Sequence, residues 1–452
     1  MMMKNNGVIS RPFSTTYYPW IICIVGMLFY CFNYFLRVSP SVIQDNLIQA
    51  FHIKACEFGA LAACYYWAYT PMQLPAGMIY DKYGARAVLS IACLTAVIGL
   101  AIFATADTYF VAAMGRLLIG FGTAFAYIGV LKLASLWLPA NRFATVAGFT
   151  NAIGMISGAL SQKYLTKAVE YYGYQQALNF ALIIGVTLSI FIFLIIRSRP
   201  KVLLHADFIP APLNTKQLFA ALKVIATNKQ MWIIGFIGCL LYLPASVFLD
   251  VWGIPYLKSV YQLTAEQAVG ITSATFMGWI ISGPIIGGLS DKFKRRRLPL
   301  VVTGALAAIL LCIVFYLPGG VSFGLLPLIF FSIGFCCGSH PLCFALGKEN
   351  NPLQISGTAV AVTNMLIMAG GAVFQPVVGL LLDLHTTSPL GANGLPVYAP
   401  ADYTFALSVV PIGVAIGLVL SFFLKETHCQ VVVKEPAEKL AEVQNISLQP
   451  TR

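Results

Sequence analysis

The sequence predicts an all-α polytopic membrane protein, with twelve transmembrane helices in two pseudo-symmetric bundles of six. Three observations predict it. Hydrophobic residues make up 59% of the 452 and charged residues 10%, against about a quarter charged in soluble domains. Apolar runs long enough to cross a bilayer, ~20 residues each, account for most of the chain. A short pattern of glycine, aspartate and basic residues occurs at the same place in each half. A soluble fold could not hide so much apolar surface, because its helices need a wet face.

The first apolar run, Trp20 to about Phe35, follows a polar start holding Lys4 and Arg11. Arg37, Ser39 and Pro40 come after it in place of a small-residue cleavage pattern, so it is expected to be a retained span at 18–40 and not a signal peptide. Runs at 57–79, 86–106, 109–136, 143–166 and 176–197 complete the first set. The second set is 230–256, 268–289, 299–317, 322–346, 356–381 and 402–425. These runs are continuous, whereas barrel strands would alternate over short segments. Between the sets, a basic polar stretch with Arg197, Arg199, Lys201, Lys216, Lys223 and Lys229 reads as a joint. The expected organisation is an N-terminal segment 1–17, a bundle 18–197, a linker 198–229, a bundle 230–425 and a tail 426–452.

Orientation follows from lysine and arginine in short loops. Lys82, Arg86, Arg142, the 197–229 joint, Lys292, Lys294, Arg295 to Arg297, Lys348 and Lys425 all fall on the side of the chain ends. The opposite loops carry Asp45, Asp107, Glu170 and Asp383, with Lys54, Lys167 and Lys258 as exceptions. Both termini are therefore expected in the cytoplasm, with the protein in a bacterial inner membrane. The formal charge of +12 is accounted for by this bias and calls for no nucleic acid. Eleven scattered cysteines lack metal spacing and read as small buried residues.

Gly77, Asp81, Lys82, Gly84 and Arg86 join spans two and three; Gly287, Gly288, Asp291, Lys292, Lys294 and Arg295 join spans eight and nine. A small residue lets helices approach, the aspartate caps or pairs at the membrane edge, and the cations stay on the cytoplasmic side. Repeated halves are what alternating-access transporters are built from. In these residues the chain resembles the major facilitator superfamily over about residues 18–425, the second copy lacking the glycine after its basic pair. Arg116 with Gly120 and Gly122 is similar to the family's fourth-helix motif. The resemblance implies a rocker-switch mechanism. It also implies a central cavity lined by spans 1, 4, 7 and 10 and, in part, 2, 5, 8 and 11. Asp81 and Asp291 are then expected to support conformational exchange, and Arg116 to act in coupling or as a static bond to a neighbouring carbonyl or acid.

Ionisable residues inside spans mark function by default. Arg37 shares a helical face with Asn33 and Tyr34, and its guanidinium could grip a carboxylate bidentately. The alternative is snorkelling to outer headgroups. This segment resembles the first helix of the family's organic-anion and amino acid or dipeptide carriers, which implies substrate contact. No second arginine lies between Met231 and Tyr256, which disfavours a phosphate ester. Asp250 and Glu57 are candidate proton carriers or gates, Glu57 alternatively a helix cap. Either acid could also neutralise Arg37 while the cavity is empty. His340 has a side chain suited to a proton step, and Lys132 is expected to snorkel. Tyr65, Tyr66, Trp67 and Tyr69 cluster in span two; Tyr127 and Tyr242 are the favoured cavity aromatics. Asn364 and Gln375 need protein or ligand partners in lipid. No Walker sequence, HExxH or paired histidines occur, so no enzyme and no cofactor is expected. The expected activity is secondary transport of a small polar or anionic organic solute, an amino acid, short peptide or organic acid, in proton symport, by a monomer whose other partner is membrane lipid. Uniport, exchange and sugar transport are the alternatives.

Overall fold

The computed structural model describes residues 17–197, 215–387, 391 and 394–431. Residues 1–16, most of the linker before 215, part of the loop around Pro389 and the tail from 432 fall outside this range, as do the side chains of residues 140, 141, 144, 215 and 353.

The described residues form nineteen α-helices. Ten segments are long and apolar enough to cross a membrane. The other two of the expected twelve are Ala55–Tyr83 and Ala140–Tyr172. The first is interrupted by a turn between Met72 and Ala76. The second is diluted by Lys163, Lys167 and Glu170.

In chain order, the first half consists of α1 (Tyr18–Val42), a short α2 (Gln44–Phe51), α3 (Ala55–Met72) with α4 (Ala76–Tyr83), α5 (Ala85–Ala104), α6 (Tyr109–Thr123) with α7 (Ala126–Trp137), α8 (Ala140–Tyr172) and α9 (Tyr174–Ile195). After α10 (Thr215–Thr227) the second half follows. It comprises α11 (Lys229–Leu243), a wide π-helical stretch Pro244–Trp252, α12 (Gly253–Val260), α13 (Ala265–Phe293), α14 (Arg297–Tyr316), α15 (Leu326–Cys337) with α16 (Leu342–Glu349), α17 (Ser356–His385), and α18 (Pro400–Leu407) with α19 (Val409–Ser421).

The basic polar joint contains the helix α10. Its Leu218, Ala221 and Ile225 are buried and spaced along one face, which packs toward α11 and α17. That stripe is too narrow to raise the hydropathy of a segment with a polar opposite face.

The halves meet along α3 and α17, along α8 and α13, and where α1 meets the wide stretch. Close approach at the first seam depends on glycine. A Cβ on Gly59 would collide with the backbone of Gln375 and Pro376, and one on Gly379 with that of Ala55. These contacts lie toward the face opposite the chain ends. Near the chain-end face, a Cβ at Gly77, Gly283, Gly287 or Gly357 would meet nothing within 4 Å.

Candidate functional site

Two backbone irregularities create the site. Pro40 lies within α1 and has no N–H to return to Leu36, so that carbonyl lacks its helical backbone partner and accepts from Ser39 Oγ at 3.0 Å instead. Arg116 Nη1 donates to Leu36 O at 2.7 Å, and its Nη2 donates to Ala62 O at 3.3 Å. Thus Arg116, 2% exposed, ties α6 to α1 and α3. Its ring neighbour is Tyr65, 5.5 Å from the guanidinium carbon.

The second irregularity is Pro244–Trp252, opened by a proline. Wide turns misalign carbonyls and recur at functional sites. Here amide side chains take up the slack. Gln375 Nε2 donates to Ser246 O at 2.6 Å, and Gln162 Nε2, from the other half, to Leu249 O at 2.8 Å. Gln162 Oε1 in turn accepts from Thr272 at 2.8 Å.

The same stretch aims Asp250 at Arg37. Arg37 Nε donates to Asp250 Oδ2 at 2.7 Å, and Nη2 donates to Tyr242 Oη at 2.6 Å. Tyr66 Oη donates to the same aspartate oxygen at 2.5 Å. Arg37 and Asp250 are 5% and 1% exposed. Arg37 therefore turns inward and does not snorkel. Its guanidinium carbon lies 5.1, 5.4 and 5.5 Å from the rings of Tyr34, Tyr66 and Tyr242. The pair joins the two halves, and a buried pair leaves a stranded charge if either partner is removed.

Aromatic rings continue the site on both sides. Tyr30 packs on Tyr34 and on Tyr127, each at 5.2 Å between centroids. Tyr242 packs on His340 at 4.9 Å and on Trp279 at 5.7 Å. Tyr34, Tyr127 and Tyr242 thus belong to one array around Arg37. Asn33 faces α3, where its Oδ1 accepts from Tyr65 Oη at 2.5 Å. His340 sits at the bend between α15 and α16; among the described residues no hydrogen-bond partner meets its Nδ1.

The remaining expected residues lie apart. Glu57 Oε2 accepts from Lys54 N–H at 2.8 Å, the capping alternative. Asn364 Nδ2 donates to Gln73 Oε1 at 2.9 Å across the halves. Asp81 pairs with Lys132 at 2.5 Å, so Lys132 has an ion partner where snorkelling was expected; the aspartate lies one helix away and draws it in. Asp291 pairs with Arg296 at 2.6 Å.

Trp279, Gln73 and Gln162 were not among the expected residues. A signal existed for each. Trp279 lies mid-span, whereas tryptophan usually sits at the interfaces, and the two amides need partners in lipid.

Opposite the chain ends the seam is fastened. Asp383 accepts from the backbone N–H of Ala55 at 3.2 Å and of Cys56 at 2.9 Å, at the N-terminus of α3, and also from Tyr398. Burial and that carboxylate hold the Tyr398 phenol well above its ordinary value, so it stays a donor. Lys258 pairs with Asp45 at 2.7 Å and Lys167 with Glu266 at 3.5 Å.

The family model described as Major Facilitator Superfamily matches residues 22–376. The chain is 24% identical over 415 residues to the "Uncharacterized transporter YybO" of Bacillus subtilis, covering 84% of this chain and 91% of that one. It is 22% identical over 288 residues to the "Probable sulfoacetate transporter SauU" of Cupriavidus necator, 60% and 65%. To the "Probable galactarate/D-glucarate transporter GudP" of Bacillus subtilis it is 19% identical over 394 residues, 80% and 85%. A bacterial homologue of the human lysosomal transporter Spinster, solved inward-facing and unoccupied, shares the fold with a TM-score of 0.71 at 13% identity, 90% and 96% covered.

Proposed function

This chain belongs to the major facilitator superfamily, and we propose that it carries a small organic acid across a bacterial inner membrane in symport with a proton. The observation that carries the reading is the buried Arg37–Asp250 pair joining the halves. Relatives with acid solutes in their names support the substrate class.

The physical argument is one of charge. Empty, the pair is neutral. A substrate carboxylate binding Arg37 must displace Asp250, and a second buried anion beside one cation is expensive. A proton on Asp250 removes that cost. Arg37 is then free to grip the substrate, and substrate and proton enter together. In this state the seam opposite the chain ends is fastened. The basic chain-end face is cytoplasmic by the positive-inside rule, so the arrangement corresponds to a carrier closed to the outside. Loss of the Arg37–Asp250 tie frees the halves to rock. Arg116, holding the carbonyl next to Arg37, positions that turn of α1.

Proteoliposomes test this. Uptake of the organic acid is expected to be concentrative under an imposed pH gradient and to move protons with it. Asp250→Asn should bind and exchange substrate while losing pH-driven accumulation. Arg37→Lys should weaken acid binding by removing the fork, and Arg37→Ala more so, with a greater loss for the acid than for its amide. Saturable uptake with no proton movement would make the protein a uniporter. Equal losses for acid and amide would remove Arg37 as the anchor.

A further inference from the structure

Beyond Tyr242, the second half holds buried polar atoms with no hydrogen-bond partner among the described residues. Trp279 Nε1, His340 Nδ1 and Ser282 Oγ are buried without a hydrogen-bond partner. Their residues are 2%, 6% and 0% exposed. The indole and imidazole rings are 5.5 Å apart, and both pack on Tyr242, whose hydroxyl is bound to Arg37. Ser282 packs closely on Gly338, where a Cβ would collide with its hydroxyl. An unmet buried donor or acceptor costs ~1–3 kcal/mol. Such groups side by side in a membrane interior point to a partner that arrives from outside the fold.

We infer that Trp279 and His340 form a second subsite that reads a hydroxyl of the substrate, so that the substrate is a hydroxylated monocarboxylate. The inference rests on Arg37 being the carboxylate anchor. Indole N–H only donates, whereas imidazole and hydroxyl groups can donate or accept. A substrate hydroxyl matches both, accepting from Trp279 and donating to His340. An alkyl group would leave both ring nitrogens unmet. A second carboxylate would enter a neutral pocket, because Arg37 is already taken by the first and Arg116 is bound to backbone carbonyls.

The test is calorimetric binding to the purified full-length protein in nanodiscs. The probes are D-gluconate, butyrate as carboxylate alone, D-glucitol as hydroxyls alone, and D-glucarate with two carboxylates. Gluconate is expected to bind best. Trp279→Phe should weaken gluconate about tenfold, roughly one buried hydrogen bond, while leaving butyrate unchanged. His340→Phe is the second variant, with the same selective loss expected. Arg37→Lys should weaken gluconate and butyrate alike. If both ring variants leave the gluconate-to-butyrate ratio unchanged while Arg37→Lys still weakens both acids, the subsite is overturned and the anchor stands. If Arg37→Lys affects neither acid, the anchor falls. Glucarate binding tighter than gluconate, or no gluconate binding, also overturns the inference.

Discussion

The two copies of the glycine–aspartate–basic motif are built differently. In the first, one residue joins α4 to α5: Gly84, at φ 79°, ψ 155°, a region essentially closed to other residues. In the second, three residues separate Phe293 from Arg297, and Lys294 takes the positive φ, at 51° with ψ 42°, which a side chain tolerates at a cost. The extra length changes what the aspartates do. Asp81 makes one ion pair with Lys132, both side chains about a third or a quarter exposed. Asp291 instead meets Arg296, which is 8% exposed and also holds Glu349 through Nε at 3.1 Å and Nη2 at 2.8 Å. The chain beyond the last span closes this network. Glu426 accepts from the backbone N–H groups of Arg296 and Arg297 at 2.7 and 3.0 Å, and Thr427 Oγ1 donates to Glu349 at 2.5 Å. In one copy the aspartate is itself half of a partly exposed pair; in the other it is 68% exposed and sits at the edge of a buried Arg296–Glu349 fastening within its own half.

If that distinction holds, Arg296→Ala has the largest effect on stability. It strands the Glu349 carboxylate, and the expected loss is about 3–5 kcal/mol, as for removal of one partner of a buried pair. Thermal unfolding in detergent measures it, and a loss no greater than that of Lys132→Ala would erase the difference between the copies.

The loop backbones come next. Gly84→Ala should cost about 1–3 kcal/mol, the strain of a residue forced into a sparsely populated region. Lys294→Gly should do the reverse and stabilise by about 1 kcal/mol by relieving left-handed strain. Opposite signs at the two positions are the decisive result in the same unfolding assay.

A smaller effect is set by pH. Burial acts to raise Glu426, but the N–H groups of Arg296, Arg297, His428 and Thr427 outweigh it and hold the carboxyl below its ordinary 4.5. A carboxylate depressed on folding stabilises above its ordinary value, and that contribution is lost as pH falls through the folded value. The melting-temperature gap between the protein and Glu426→Gln should be full at neutral pH and close well below pH 4.5. A gap unchanged in acid would mean that Glu426 acts through packing alone.

Asp81→Ala should perturb stability least, by about 0–1 kcal/mol for a partly exposed pair, yet slow transport while sparing substrate affinity. Single-turnover exchange and equilibrium binding on the same preparation separate the two. Collapsed binding with normal turnover of bound substrate would take Asp81 out of conformational exchange.

Much of this was legible in the chain. The spans, the repeated motif and the cost of Arg37 each depend on a few neighbouring residues, because hydropathy and burial of a charge are local quantities. Pro40 and Pro244 are visible as well, but the distant side chains that reach the carbonyls around them are not. A carbonyl or acid partner for Arg116 could be expected, but which carbonyl could not: it is that of Leu36, 80 residues away. For the same reason Asp250 could be proposed only as one of two neutralising acids beside Glu57, whose Oε2 accepts from the Lys54 N–H at the start of its own helix.

The sequence by itself therefore determined a twelve-helix protein made of two related halves, its basic face, and the presence of one costly arginine in the first span, since each of these is written in composition along a single helix. The tertiary structure alone decided which acid meets that arginine, which amides repair the wide turn, and which buried atoms are left without partners. Those are properties of side chains brought together across separations such as 87, 129 and 213 residues, where the pairing depends on helix packing and bends and not on any spacing in the chain.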